Sequence, residues 1–278
     1  MIVENIKIFS QNVCKNSLLV NTLLKTLIHF DIILIQEPPW SEICKIPSSS
    51  NCKGDPLIGT SHHPNWTTFT RIPSNNKNVP RVITYVNIRL SALHFLLHKD
   101  IFNHRDISLI SFSNNNICYY IINVYSDSSH TALKYLKDTE VNINNVVLMT
   151  GDFNIRDSLW DLSFPFYLSI SDDLIMIADS FNLALSSPTN PCPTKYSDMV
   201  GESNSIINLM SLLSRNLNYC QIILLFQSLS LYSKRLSKYQ NYLWLQKVNM
   251  DQHSLKTSSR NSRIWIWLTL KTSLYWNK

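Results

Sequence analysis

Acidic side chains almost vanish from the last part of this 278-residue chain, where Glu202 and Asp251 are the only acids after residue 200. Residues 1–200 sum to a net charge of −2 and residues 201–278 to +8, so the chain has two characters with a boundary near residue 200. Paired cysteines are also lacking. Cys14, Cys44, Cys52, Cys118, Cys192 and Cys220 are scattered without Cys-x-x-Cys spacing, which suggests neither a zinc site nor a disulfide framework. The start, Met1-Ile-Val-Glu-Asn, has no basic stretch leading into an apolar core, so no secretory leader is expected. No uninterrupted apolar run reaches the roughly 18 to 20 residues that a membrane helix needs. These absences set the expectation of an intracellular, thiol-reduced protein with no membrane partner. The apolar share of 45% is ample for a core.

The stretch with most chemistry is Val146-Val-Leu-Met-Thr-Gly-Asp-Phe-Asn154, followed by Trp160-Asp161. Four apolar residues predict a short buried strand, and Gly151 is expected to release the backbone into a turn. Asp152 and Asn154 stand two positions apart, which in extended chain points both the same way. A carboxylate can hold a water near a metal, and an amide can bond a phosphate. A plain turn after a strand fits the tetrapeptide equally well. Three more apolar runs end alike: Ile6-Lys-Ile-Phe-Ser-Gln-Asn12, Phe30-Asp-Ile-Ile-Leu-Ile-Gln-Glu37, and Tyr119-Tyr-Ile-Ile-Asn-Val-Tyr125, which carries Asn123. Strands that each deliver a polar residue at the carboxyl end are how packed sheets line a cleft.

In order along residues 6 to 209, Gln36-Glu37-Pro38-Pro39-Trp40, Gly151-Asp152-Phe153-Asn154 and Trp160-Asp161 resemble the endonuclease/exonuclease/phosphatase (DNase I-like) superfamily, and within it the endonuclease domain of LINE-type, non-LTR retrotransposons. The resemblance implies an α/β fold, a four-layer α/β/β/α sandwich of two packed mixed sheets, over residues 1–209, with a divergent basic tail over 210–278. It implies Mg2+ or Mn2+ as cofactor, with Glu37 as metal ligand and Asn12 supporting the ion or the phosphate. It makes Asp152 the general base that aligns the attacking water, with Asn154 steadying the phosphate. Tyr125 would donate to a phosphate oxygen or carry a proton, an ordinary strand tyrosine being the bland alternative. Asn123 and Asn208 would face the substrate. The implied partner is DNA, the place of action the nucleus, and no obligate protein partner is evident.

Two departures bear on activity. The resemblance calls for Ser-x-Ile-Asp-Leu, but this chain reads Ser205-Ile-Ile-Asn208-Leu, which removes a negative charge near the site. The terminal Ser-Asp-His does not occur after residue 209, where His253 is the only histidine. Losing one member of a coupled catalytic set typically costs several orders of magnitude. The expectation is therefore a DNA-nicking endonuclease of a retroelement with impaired turnover, ending before any reverse transcriptase. The alternative is a catalytically inactive nucleic-acid-binding protein or relic of a decayed element. The tail supports decay through its poor periodicity, although a basic, aromatic tail can also track nucleic acid. A phosphatase or lipid phosphodiesterase lacks support, because no basic cluster of inositol-phosphate type flanks the motifs.

Elsewhere, Ser17 is expected to cap a helix whose apolar face is Leu18, Leu19, Leu23, Leu24, Leu27 and Ile28. Strands are predicted at 66–70 and 81–86, and a hairpin at 107–112 and 117–124 turning through Ser113 to Asn116. Helices are predicted at 129–139 and 171–181, the latter burying Leu174, Ile175, Ile177 and Ala178. His62-His63 reads as a surface loop, since no further ligand follows at fixed spacing. His104-Arg105-Asp106 is either a phosphate contact or, as is commoner for such a triplet, a solvated turn.

Overall fold

The computed structural model describes residues 5–46, 52–73, 79–155, 157–158, 165–186, 209–214 and 221–226. In chain order its elements are β1 (Asn5–Asn12), α1 (Ser17–Thr26), β2 (Ile32–Gln36), β3 (Ser41–Ile46), β4 (Asp55–Gly59), β5 (Trp66–Phe69) and β6 (Val82–Asn87). A 3-10 turn over Ile88–Leu93 follows, then β7 (Leu96–Leu97), β8 (Ile107–Asn114), β9 (Ile117–Tyr125), α2 (Thr131–Asp138), β10 (Val146–Asp152), α3 (Ser169–Ser180), β11 (Leu183–Ser186), β12 (Leu209–Ser214) and β13 (Gln221–Phe226).

Two mixed sheets carry the fold. One has the order β13-β1-β2-β6-β5 and the other β11-β12-β10-β9-β8-β7. Each has a parallel pair at its heart, β1 with β2 and β9 with β10, so the carboxyl ends of those pairs lie together. Side-chain alternation assigns three apolar layers. Ile6, Ile8, Ile32, Leu34 and Val86 of the first sheet meet Ile110, Phe112, Ile121 and Leu148 of the second. Phe9, Ile33, Ile35, Ile83 and Tyr85 face α1 from the first sheet's other side. Leu109, Ile122, Val124 and Met149 face α2 and α3. This is the expected four-layer α/β/β/α sandwich. Both sheets also take in chain beyond residue 209, where the sequence reading ended the domain. Strand β12 pairs antiparallel with β10, and β13 pairs parallel with β1.

The elements follow local chemistry, with some corrections. The helix α1 is capped one residue earlier than expected, by Asn16, whose Oδ1 accepts from the Leu19 amide at 3.0 Å. Its buried face is Val20, Leu23, Leu24 and Leu27, while Leu18 and Ile28 are exposed, because the 3.6-residue period centres the stripe on Val20 and Leu24. In α3 the buried apolar residues are Leu174, Ile177 and Ala178, and Ile175 turns outward for the same reason. The β8–β9 hairpin turns on Asn115 and Asn116, both left-handed at φ 52° and 63°, which asparagine tolerates and a two-residue hairpin loop demands. No helix among the described residues is long and apolar enough to cross a membrane.

Candidate active site

Inside the sheet-to-sheet interface, polarity rises toward one end. Above the apolar layer, Ser10 and Gln36 of the first sheet meet Asn123 of the second, and all three are fully buried. The Gln36 Nε2 donates to Ser10 Oγ at 3.2 Å and to Asn123 Oδ1 at 2.7 Å. The Asn123 Nδ2 in turn reaches across to the carbonyls of Ile83, at 3.1 Å, and Ile35, at 3.3 Å. Asn123 was expected to face the substrate; it is instead a sealed link between the sheets. One residue pair further along the strands lies the cleft, and Tyr125 rather than Asn123 reaches that depth. Replacing Asn123 with Leu leaves the Gln36 amide one acceptor short inside the sealed interface, at about 1 to 3 kcal/mol, while the Ile35 and Ile83 carbonyls keep their partners in the β2–β6 ladder. Denaturant unfolding of Asn123→Leu is therefore expected to show about 2 kcal/mol lost; unchanged stability with a selective loss of substrate affinity would restore the substrate reading.

At the cleft, four of the expected residues converge. Asn12, at the end of β1, donates from one amide nitrogen to Asp152 Oδ2 at 2.6 Å and to Glu37 Oε2 at 3.1 Å. Its Oδ1 accepts from the Cys14 amide at 2.8 Å, which fixes which way the amide points. Glu37 follows β2 directly and holds a left-handed backbone, φ 47°, unusual for a residue with a Cβ. Two main-chain bonds hold it there, Glu37 N to Arg81 O at 2.8 Å and Lys15 N to Glu37 O at 2.7 Å. Such local strain persists where its surroundings over-determine it. Trp40 anchors the following turn by donating from Nε1 to the Pro80 carbonyl at 2.7 Å.

Asp152 and Tyr125 are register partners on the parallel strands β10 and β9, and both are mostly buried. Burial pushes the Asp152 carboxyl up to about 6, and the nearby Glu37 charge adds to the rise, while bonds from Asn12 and the Asn154 amide oppose it. The Tyr125 phenol lies beside the Glu37 and Asp152 carboxylates, and burial together with those two charges holds it above its ordinary value. It therefore keeps its proton at neutral pH. Its ring lies under a guanidinium, with Arg81 Cζ 4.7 Å from the centroid. Arg81 is clamped by both oxygens of the fully buried Asp106 and by Asp127 at 2.9 Å. The triplet His104-Arg105-Asp106 is thus no solvated turn, because Asp106 faces inward to an ion pair. In the sequence Arg81 is only the first residue of a strand, and no local signal marks it as part of the site.

Asn154 departs from the extended geometry assumed for it. It lies past the end of β10 in the left-handed region, φ 50°, and its side chain is directed to Ser126, donating from Nδ2 to the carbonyl at 2.6 Å. The Asn154 amide caps Asp152 Oδ1 at 3.2 Å, so it helps aim the carboxylate from an exposed position. Gly151 is likewise still within β10 rather than a turn, and its lack of a side chain serves strand contact. Asn208, Trp160, Asp161 and His253 lie outside the described residues.

Could this set hold a metal? Among the described residues no three His, Cys, Asp or Glu side chains come together. Two carboxylates, Glu37 and Asp152, nonetheless converge on a single small donor, the Asn12 amide nitrogen, at 3.1 and 2.6 Å. One or two carboxylates with retained water suit Mg2+, whereas zinc prefers several nitrogen or sulfur ligands. Burial first and the neighbouring Glu37 charge second raise the Asp152 carboxyl, and a cation at this point would offset both. The residues fit a hard divalent ion.

No family model matches the sequence, and no curated protein matches it. Solved structures do. The endonuclease domain of TRAS1, a telomere-specific non-LTR retrotransposon, aligns with TM-score 0.52 and 12% identity over 74% of this chain and 84% of that one. An endonuclease/exonuclease/phosphatase family protein from Leptotrichia buccalis C-1013-b aligns with TM-score 0.43 and 10% identity over 76% and 87%. At such identity the first likeness shows the fold alone, and that fold is the one the sequence motifs implied: the chain has the DNase I-like fold.

Proposed function

We propose that the chain is a metal-dependent phosphodiester hydrolase that nicks DNA, as the endonuclease of a non-LTR retroelement. The observation that carries this is the meeting of Asn12, Glu37, Tyr125 and Asp152 at the carboxyl ends of the two central parallel pairs. Support for the retroelement source comes from Gln36-Glu37-Pro38-Pro39-Trp40 and from the fold shared with the TRAS1 endonuclease domain.

Glu37, with water completing the shell, would hold Mg2+ or Mn2+ beside Asp152, and the ion would supply neutralisation of the phosphate oxygens. Asn12 presents its amide nitrogen to both carboxylates and so supports the ion only through them. Asp152, ionised at neutral pH yet poised near 6, is suited to align a water and accept its proton. Tyr125 keeps its own proton and donates a hydrogen bond to a phosphate oxygen, whose charge grows as the water attacks. Asn12 keeps the two carboxylates at fixed separation. Asn154, at the exposed mouth, aims Asp152 and steadies the phosphate.

The test is nicking of supercoiled plasmid with Mg2+, with Asp152→Ala prepared in parallel. Nicking by the wild type, lost in the variant, supports the reading. Equal background from two folded proteins overturns it. The inactive nucleic-acid-binding reading would then stand, favoured by the absence of Ser-Asp-His after residue 209.

A further inference from the structure

We propose that Arg81 is a positioning residue that fixes Tyr125 and Glu37, one from each sheet, against each other in the cleft. Arg81 immediately precedes β6 in the first sheet, while Asp106 precedes β8 and Asp127 follows β9 in the second. The guanidinium therefore spans the two sheets, taking both Asp106 oxygens from one edge and Asp127 at 2.9 Å from Nη2. Its flat face lies against the Tyr125 ring, with Cζ 4.7 Å from the centroid, within the reach of a cation–π contact.

The same two residues also hold the backbones of the cleft. The Arg81 carbonyl accepts from the Glu37 amide at 2.8 Å, and the Asp106 carbonyl accepts from the Tyr125 amide at 2.9 Å. The Arg81 amide donates to Arg105 O at 2.9 Å, closing the link between the segments that carry them. Glu37 needs such support, since its backbone is left-handed. A shift of the guanidinium thus moves the Tyr125 ring directly and the Glu37 and Tyr125 main chains through these bonds. Asp127 adds a further tie, because its Oδ1 caps the start of α2 by accepting from Ser129 N at 3.1 Å and Thr131 N at 3.3 Å.

Only arginine serves all these contacts. Its planar fork supplies paired donors to Asp106, another to Asp127 and a face to the ring, whereas a lysine ammonium is a point charge that cannot do all three. Arg81→Lys keeps the buried Asp106 compensated, so the variant separates position from charge. Truncation to Met would strand that carboxylate and cost the fold.

The test uses the full chain with 13C-labelled tyrosine, the Tyr125 ring signal being assigned through Tyr125→Phe. In Arg81→Lys the Tyr125 signal is expected to shift and broaden, and Asp127→Asn, which keeps the α2 cap, is expected to shift it less in the same direction. A Tyr125 signal coincident with wild type in both variants overturns the proposal. If Arg81→Lys does not fold, Asp127→Asn alone decides by the same criterion. The kinetic consequence rests on the hydrolase reading. There, kcat of folded Arg81→Lys is expected to fall about a hundredfold with KM nearly unchanged, as misplacement of a reacting group produces. Unchanged kcat per folded molecule would mean that Arg81 only stabilises. A wild type without nicking removes the hydrolase reading, while the ring signal still decides the position of Tyr125.

Discussion

Gly151→Ala is expected to abolish folding of the chain or to cost more than about 4 kcal/mol, the range reached only by disruptive core changes. A Cβ on Gly151 would lie 1.8 Å from the Val124 carbonyl oxygen, 2.7 Å from its carbon and 2.9 Å from the Val124 nitrogen. All three are backbone atoms of β9, the register partner of Gly151. No rotamer change relieves such a clash; β9 and β10 would have to separate. Both strands are buried on each side, so separation breaks the packing against α2 and α3 as well as the sheet ladder. They also carry Tyr125 and Asp152, and the site would go with them. Gly59 provides the control. A Cβ there would meet only the end of the Ile43 side chain, at 2.0 Å, and Ile43 is 56% exposed and free to swing away. Gly59→Ala should therefore stay folded where Gly151→Ala does not. The measurement is soluble yield followed by denaturant unfolding of each. A Gly151→Ala protein within about 1 kcal/mol of wild type, the centre of ordinary substitutions, would refute the argument.

That contrast shows which features a one-dimensional reading can reach. Strand ends were legible, because an apolar run that stops at Asn12, Glu37, Tyr125 or Asp152 announces both a buried strand and what it delivers. Depth was not. Asn123 and Tyr125 sit two apart on one face of β9, and only the partner sheet decides that the first is sealed beneath Gln36 while the second meets Glu37. Periodicity carried Asp152 and Asn154 to one side only so long as the chain was extended, and the left-handed turn at Asn154 ended that. Gly151 read as a turn residue because a glycine after four apolar residues usually is one; its strand contact belongs to β9, more than twenty residues away in sequence. Ion pairs were least legible. Arg81 and Asp106 are 25 positions apart, each inside a segment that reads as ordinary strand or loop, and burial of the pair arises only when the sheets pack.

Asp152→Asn is expected to remove nicking while making the metal-free protein more stable at neutral pH. The carboxyl is desolvated, sits near Glu37, and titrates near 6 in the fold against 3.8 as the ordinary value. The folded state therefore binds the Asp152 proton more tightly than the unfolded state does. Stability from this group is full below about pH 4 and is lost as pH rises toward the folded value near 6. With about 1.4 kcal/mol per pKa unit, ionising Asp152 costs the metal-free fold about 3 kcal/mol by pH 7. Asparagine keeps an acceptor oxygen for the Asn12 amide and carries no charge to desolvate, but gives up the acceptor that the Asn154 amide uses. In chelator, urea unfolding should place Asp152→Asn above wild type at pH 7, with the variant's advantage falling away toward pH 4. The gain is less than the about 3 kcal/mol of the ionisation, because the acceptor for the Asn154 amide is lost. Added Mg2+ should then stabilise wild type and leave the variant nearly unmoved, because only a ligand that binds the folded state shifts the equilibrium. Nicking should fall by several orders of magnitude, as when one member of a coupled set is lost. A variant less stable than wild type at pH 7 in chelator would mean that the Asp152 charge is already balanced in the fold, and the case for a cation between Asp152 and Glu37 would lose its physical basis.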